Sequence, residues 1–251
     1  MGRRAMIDRR TVLVLSACGA MGHAVGQTMA AASQVPLLST AAPGTAVAPG
    51  WQHQEIPGVA HPNSFAVVEV EQASVLQVRS TGSASTWIAR LNVDPVATPY
   101  LTWRWRVAHA LRKSDIRSRE NDDYAARVYV FFDLPVERLS FGDRLRIQTA
   151  RLMSKTDMPT AALCYVWGNV QEVGESGWNA YTDRLRMIVV DSGNAHAGQW
   201  RQVQRHIGQD WAEAFGGPVP RVSGIALGCD TDNTGDNTVA WFGDLAFVAA
   251  P

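Results

Sequence analysis

Lysine is nearly absent from this chain. Of 23 basic residues in 251, only Lys113 and Lys155 are not arginine, a bias that genome composition alone can produce. Net charge is also absent, with 23 acids against 23 bases. Removing residues 1–32 leaves 19 basic and 22 acidic side chains, which argues against nucleic acid as a partner, because phosphates favour a basic surface. Cysteine is scarce: Cys18, Cys164 and Cys229. Spacing leaves a bond between the last two open, and Cys164, in an apolar run, reads equally well as a small buried thiol. The apolar stretch after Arg10 is broken by Gly, His and Gln well before the roughly 20 residues a membrane helix needs, so no transmembrane span is expected. Enzyme signatures are missing too: no G-x-S-x-G elbow, no H-E-x-x-H pair, no phosphate-cradling loop and no dinucleotide fingerprint. The six histidines show no ligand spacing.

What is present begins with export. Arg3, Arg4, Arg9 and Arg10 precede the modest apolar segment "TVLVLSACGAMGHAV", and "AAAS" supplies small residues for cleavage after Ala32. Residues 1–32 therefore read as a signal peptide, and Arg9-Arg10 before Thr11-Val12-Leu13 resembles a twin-arginine signal. "LSAC" also fits a lipoprotein box with Cys18 as the acylated residue. The expected location is periplasmic or extracellular, with outer-membrane lipidation as the variant. Residues 33–50, rich in small residues, Pro and Gly and free of charge, read as a flexible tether. Residues 51–251 read as one domain.

That domain is dominated by alternation of apolar and polar residues, the period of a half-buried strand. "YLTWRWRV" (100–107) is the clearest instance: Leu101, Trp103, Trp105 and Val107 on one side, Tyr100, Thr102, Arg104 and Arg106 on the other. Further strands are expected at 65–71, 74–80, 85–91, 125–132, 162–167, 184–191, 199–207, 221–228 and 238–248. Helical signals are confined to "DWAEAFGGP" (210–218), with Asp210 as the expected cap and Gly216-Gly217-Pro218 as the stop, and to part of 136–153. The expected fold is all-β with one or two short helices, a two-sheet antiparallel sandwich.

Two groups could carry function. If strands 100–107 and 125–132 share a sheet, Arg104, Arg106, Arg127 and Tyr129 share a face, with Asp122 and Asp123 at its end and Tyr165 and Trp167 extending it. Guanidinium forks, carboxylates and aromatic rings suit anionic or sugar-like ligands; the alternative is that these charges simply pair on a sheet surface. The second group is "CDTDNTGDN" (229–237). Asp230, Asp232, Thr234 and Gly235 match the start of a calcium loop, but the twelfth position is Trp241 rather than the bidentate glutamate. A turn held by its own Asx side chains is the favoured reading, in which Asp230 or Asp232 pairs with one of Arg104, Arg106 and Arg127. No cofactor is expected, with calcium as the exception that loop leaves open. Most tryptophans read as core, Trp51, Trp178 and Trp211 being the freest to meet a ligand.

The ordered blocks "DPVATPYLTWRWRV", "DDYAARVYVFFD", "LCYVWGN", "GQWRQVQRHIGQDWAEAFG" and "GIALGCDTDNTGDNTVAWFGDLAFV" resemble the bacterial exported-protein family termed domain of unknown function 3047, over roughly residues 51–248. The resemblance places the chain without implying an activity. More loosely, Trp200, Val203, Phe215 and Asp244 follow the order found in galactose-binding-like jelly rolls, which implies a sandwich and makes a glycan ligand an expectation. The reading is a non-catalytic binder of a glycan or another polar envelope component. Its rivals are an aspartate-dependent hydrolase and a structural envelope protein.

Overall fold

The computed structural model describes residues 34–56, 58–134 and 160–249; the expected signal peptide and the expected helix within 136–153 lie outside them. Among the described residues twelve strands and one helix follow in order: β1 (Gln52–Glu55), β2 (Ser64–Val70), β3 (Ala73–Thr81), β4 (Ala84–Val93), β5 (Tyr100–Val107), β6 (Arg127–Phe132), β7 (Ala161–Gly168), β8 (Ser176–Asn179), β9 (Thr182–Ser192), β10 (Arg201–His206), α1 (Ile207–Phe215), β11 (Val222–Asp230) and β12 (Asn237–Val248).

They form two sheets, a seven-stranded one ordered β1-β4-β11-β6-β7-β9-β8 and a five-stranded one ordered β10-β5-β12-β3-β2. Every pairing is antiparallel except β7 with β9. The chain passes repeatedly from sheet to sheet, and its pairings nest: β3 with β12, β4 with β11, β5 with β10. That nesting is the winding of a jelly roll. The β2–β3 hairpin turns through two residues, Glu71 and Gln72, both with positive φ (52° and 65°), as the right-handed strand twist demands of so short a loop.

The alternation of β5 sets the core. Leu101, Trp103, Trp105 and Val107 are buried while Arg104 and Arg106 stay half-exposed. Trp103 meets Tyr165 of the opposing sheet with ring centroids 5.3 Å apart, and Trp105 meets Trp167 at 5.9 Å. Two buried carboxylates bridge the layers. Asp191 on β9 accepts from the Trp105 indole at 2.8 Å and from Arg201 at 3.1 Å. Asp210 on α1 accepts from the Tyr165 hydroxyl at 2.7 Å, from Arg205 Nε at 3.0 Å and from one terminal nitrogen of Arg205. Pairing of this kind is what permits a buried charge.

Some expectations are corrected here. Asp210 does not cap α1: the cap lies four residues earlier, at His206, whose Nδ1 accepts from the Gln209 N–H at 3.1 Å. Residues 34–50 are no loose tether. Val35, Leu38, Ala41 and Ala48 are buried in the main core, and Asp244 accepts from the Leu38 and Ser39 N–H groups at 2.7 and 2.9 Å. Pro36 receives the Trp51 indole N–H at 3.0 Å. Cys164 and Cys229 are both free thiols; they sit in the clusters on opposite faces of the seven-stranded sheet, out of reach of one another.

Candidate functional site

The expected composite face does not exist, because β5 and β6 belong to different sheets. Its members divide three ways. Arg104 and Arg106 lie on the outer face of the five-stranded sheet. Arg127 and Tyr129 lie on the outer side of the seven-stranded sheet, with Asp122 and Asp123 beside them. Tyr165 and Trp167 point into the core between the sheets, both fully buried. Trp51 and Trp211 are core as well, at 3% and 1% exposure, whereas Trp178 is 39% exposed on edge strand β8.

On the acidic side Arg127 is the centre. It is 3% exposed and grips Asp230 with a fork, Nε to Oδ1 at 2.7 Å and a terminal nitrogen to Oδ2. It also reaches the Asp122 carbonyl and carboxylate, and its Nη1 donates to the Tyr129 hydroxyl at 3.2 Å. The Tyr124 ring lies 4.5 Å from the guanidinium carbon. Burial pushes the Asp230 carboxyl above its usual range and Arg127 pulls it back. Burial likewise opposes the charge on Arg127, yet Asp230, Tyr129 and Asp122 hold its pKa well above the ordinary value. Asp122 also takes the Asn179 amide at 2.9 Å. Asp123 accepts from the Thr234 N–H and hydroxyl, both at 2.7 Å, and from the Asn233 N–H at 3.3 Å.

The stretch 229–237 is thus a latched turn. Its far side is tied by the Thr231 hydroxyl to Ser80 at 2.7 Å and to the Ser83 N–H at 3.2 Å. Gly235, at φ 67°, supplies the left-handed step that lets its N–H reach the Thr231 carbonyl. Carboxylate oxygens of Asp123, Asp230 and Asp232 do approach one another within 4.8 Å, near enough to share a cation. Arg127, however, already places a positive charge against Asp230.

The outer face of the five-stranded sheet is different in kind. Trp200, two residues before Gln202 (the β5 partner of Arg104), falls on the same side as the two arginines. Trp241 pairs with Arg106 across β12. The four side chains form a ladder: the Arg104 guanidinium lies 4.7 Å from the Trp200 ring centre, and Arg106 lies 5.7 Å from Trp200 and 4.3 Å from Trp241. All four are half-buried, so part of each faces solvent. Gly243 makes the arrangement possible, since a Cβ there would stand 2.6 Å from Cγ and Nε of Arg104; the arginine lies flat across β12 where no side chain intervenes. Gln77, Arg79, Gln202 and Gln204 flank the ladder at matching register positions. The 100–107 pattern announced the two arginines. Nothing in the sequence set Trp200 or Trp241 beside those arginines, because which strands neighbour β5 is a matter of topology.

In overall shape the chain is similar to the family 30 carbohydrate-binding module of a Clostridium thermocellum cellulosomal cellulase (TM-score 0.40, 12% identity, 84% of this chain and 95% of that one). It is similar to the same degree to the family GH12 endoglucanase 3 of Trichoderma harzianum (TM-score 0.41, 7% identity, 80% and 90%) and to endoglucanase cel12A of Rhodothermus marinus (0.40, 9%, 80% and 93%). No curated protein matched the chain. Residues 49–246 match the model of the family described as "Protein of unknown function (DUF3047)", and the chain belongs to that family.

Proposed function

We propose that this is an exported jelly-roll protein that binds a glycan, or another polar component of the cell envelope, on the outer face of its five-stranded sheet, without catalysis. One observation carries the reading: the ladder Arg104–Trp200–Arg106–Trp241, two indoles and two guanidiniums held in contact on an open sheet surface. Indole faces stack on apolar ring surfaces and guanidinium forks bond oxygen-rich groups, the two contacts a sugar polymer offers at once. The hydrolase alternative needs two carboxylates facing each other across a cleft, roughly 5–10 Å apart. The carboxylates of Asp122, Asp123 and Asp230 are instead engaged by Arg127, Asn179 and the turn itself. Export rests on residues 1–32 of the sequence, and among the described residues no helix is long and apolar enough to cross a membrane.

A glycan array and a cell-wall pull-down test the reading on the mature chain. Saturable binding is expected, reduced roughly tenfold or more by Trp241→Ala, the loss of about one stacking anchor. Absence of saturable binding to any polysaccharide or peptidoglycan fragment contradicts it. The reading uses no bound cation, so chelator treatment is expected to leave the affinity unchanged; micromolar calcium binding by calorimetry, with glycan affinity restored by calcium, contradicts that part.

A further inference from the structure

Resting on that reading, we infer that the ligand is an acidic polysaccharide, with its carboxylate or phosphate groups taken by Arg104 and Arg106 and its sugar rings by the indoles beside them. The face carries a cationic excess, three arginines with Asp244 at the adjacent β12 bulge as the nearby carboxylate. Its register positions carry Arg79, Arg104 and Arg106 among glutamines, threonines and tryptophans, with Val239, Ala246 and Val248 as aliphatic neighbours along β12. Asp244, at the neighbouring bulge of β12, spends its oxygens on Leu38 and Ser39.

Other arginines contrast with these two. Arg127 pairs with Asp230, Arg201 with Asp191, Arg205 with Asp210 and Arg221 with Asp94. Among the described residues no carboxylate pairs with Arg104 or Arg106. Both are nevertheless held in place, one across Gly243 and the other between two indole rings. Arg106 Nε and Trp200 Nε1 are buried without an acceptor. Two fixed forks about 7 Å apart along one strand form a preorganised receptor for a polymer bearing repeated negative groups, since little side-chain freedom is left to lose on binding. A lipid surface fits less well, for none of the exposed large apolar residues belongs to a strand of this sheet. The net negative mature chain likewise disfavours nucleic acid.

Calorimetric titration of the mature chain with polygalacturonate, neutral galactan, polyphosphate and phosphatidylglycerol vesicles tests the inference. Polygalacturonate is expected to bind, more weakly as salt rises. Arg104→Gln and Arg106→Gln are each expected to lower the affinity roughly tenfold, one charge-assisted contact apiece, with Arg106→Lys losing less and near-ultraviolet dichroism unchanged. Binding of galactan that Trp241→Ala abolishes, but that salt and the glutamine variants leave alone, overturns the acidic ligand and keeps the glycan face. Vesicles or polyphosphate binding where polygalacturonate does not, or no binding at all, overturns both.

Discussion

At the scale of single residues the molecule uses arginine in two opposed ways. Arg127 is sunk in the protein, its N–H groups met by oxygen acceptors and its face by the Tyr124 ring, so it acts as an anchor for the 229–237 turn. Removing one partner strands the other: Arg127→Gln or Asp230→Asn is expected to destabilise the fold by about 3–5 kcal/mol, read from denaturant midpoints, and an unchanged midpoint shows the pair to be dispensable. Arg104→Gln, by contrast, is expected to leave stability within about 0.5 kcal/mol, as surface substitutions do. His53 contributes a pH dependence. Partial desolvation of its ring, in a residue whose surface is otherwise exposed, lowers its pKa below the usual 6.5, against a smaller opposing pull from Glu55, and its Nε2 lies 3.0 Å from the Ser85 hydroxyl. The unfolded chain therefore takes up the proton first, so stability falls as pH drops through about 6.5 towards the folded value. His53→Gln is expected to flatten that slope between pH 7.5 and 5.5, and an unaltered slope excludes the histidine.

At the scale of elements, the segment before Trp51 behaves as part of the body. Asp244→Ala removes the acceptors for Leu38 and Ser39 and is expected to cost about 1 kcal/mol. It also opens residues 34–50 to limited proteolysis; resistance equal to that of the parent chain contradicts the clasp. This segment was illegible in sequence because its small, uncharged, Pro-punctuated composition is that of a linker, and only four of its side chains fill core positions. Strands were legible where one face is wet, as in β5, or where an apolar run is bounded by turns, as in β11. The four-residue strands β1 and β8 are too short for alternation to register. Helix α1 was found but misplaced, since Asp210 looks like a cap by its spacing from Glu213 and is instead drawn inward by Tyr165 and Arg205.

At the scale of the whole molecule, sheet membership decides which candidate residues meet. Alternation within a strand separates Trp103 from Arg104 without any knowledge of neighbours, and so the inward tryptophans and outward arginines could be read directly. Whether β5 adjoins β6 cannot be read that way. The jelly-roll winding sends them to opposite layers, which splits the expected site and brings Trp200 and Trp241 to Arg104 and Arg106 instead. The bridges through Asp191 and Asp210 hold those layers in fixed relation, so the outer face is a rigid platform. The most direct test of that platform is a two-dimensional NMR titration of residues 33–251 with acidic oligosaccharide, following the indole N–H signals. The account predicts that the signals of Trp200 and Trp241 shift together and saturably while those of Trp103, Trp105 and Trp167 stay in place. Shifts confined to Trp178, or none among the nine tryptophans, would contradict it.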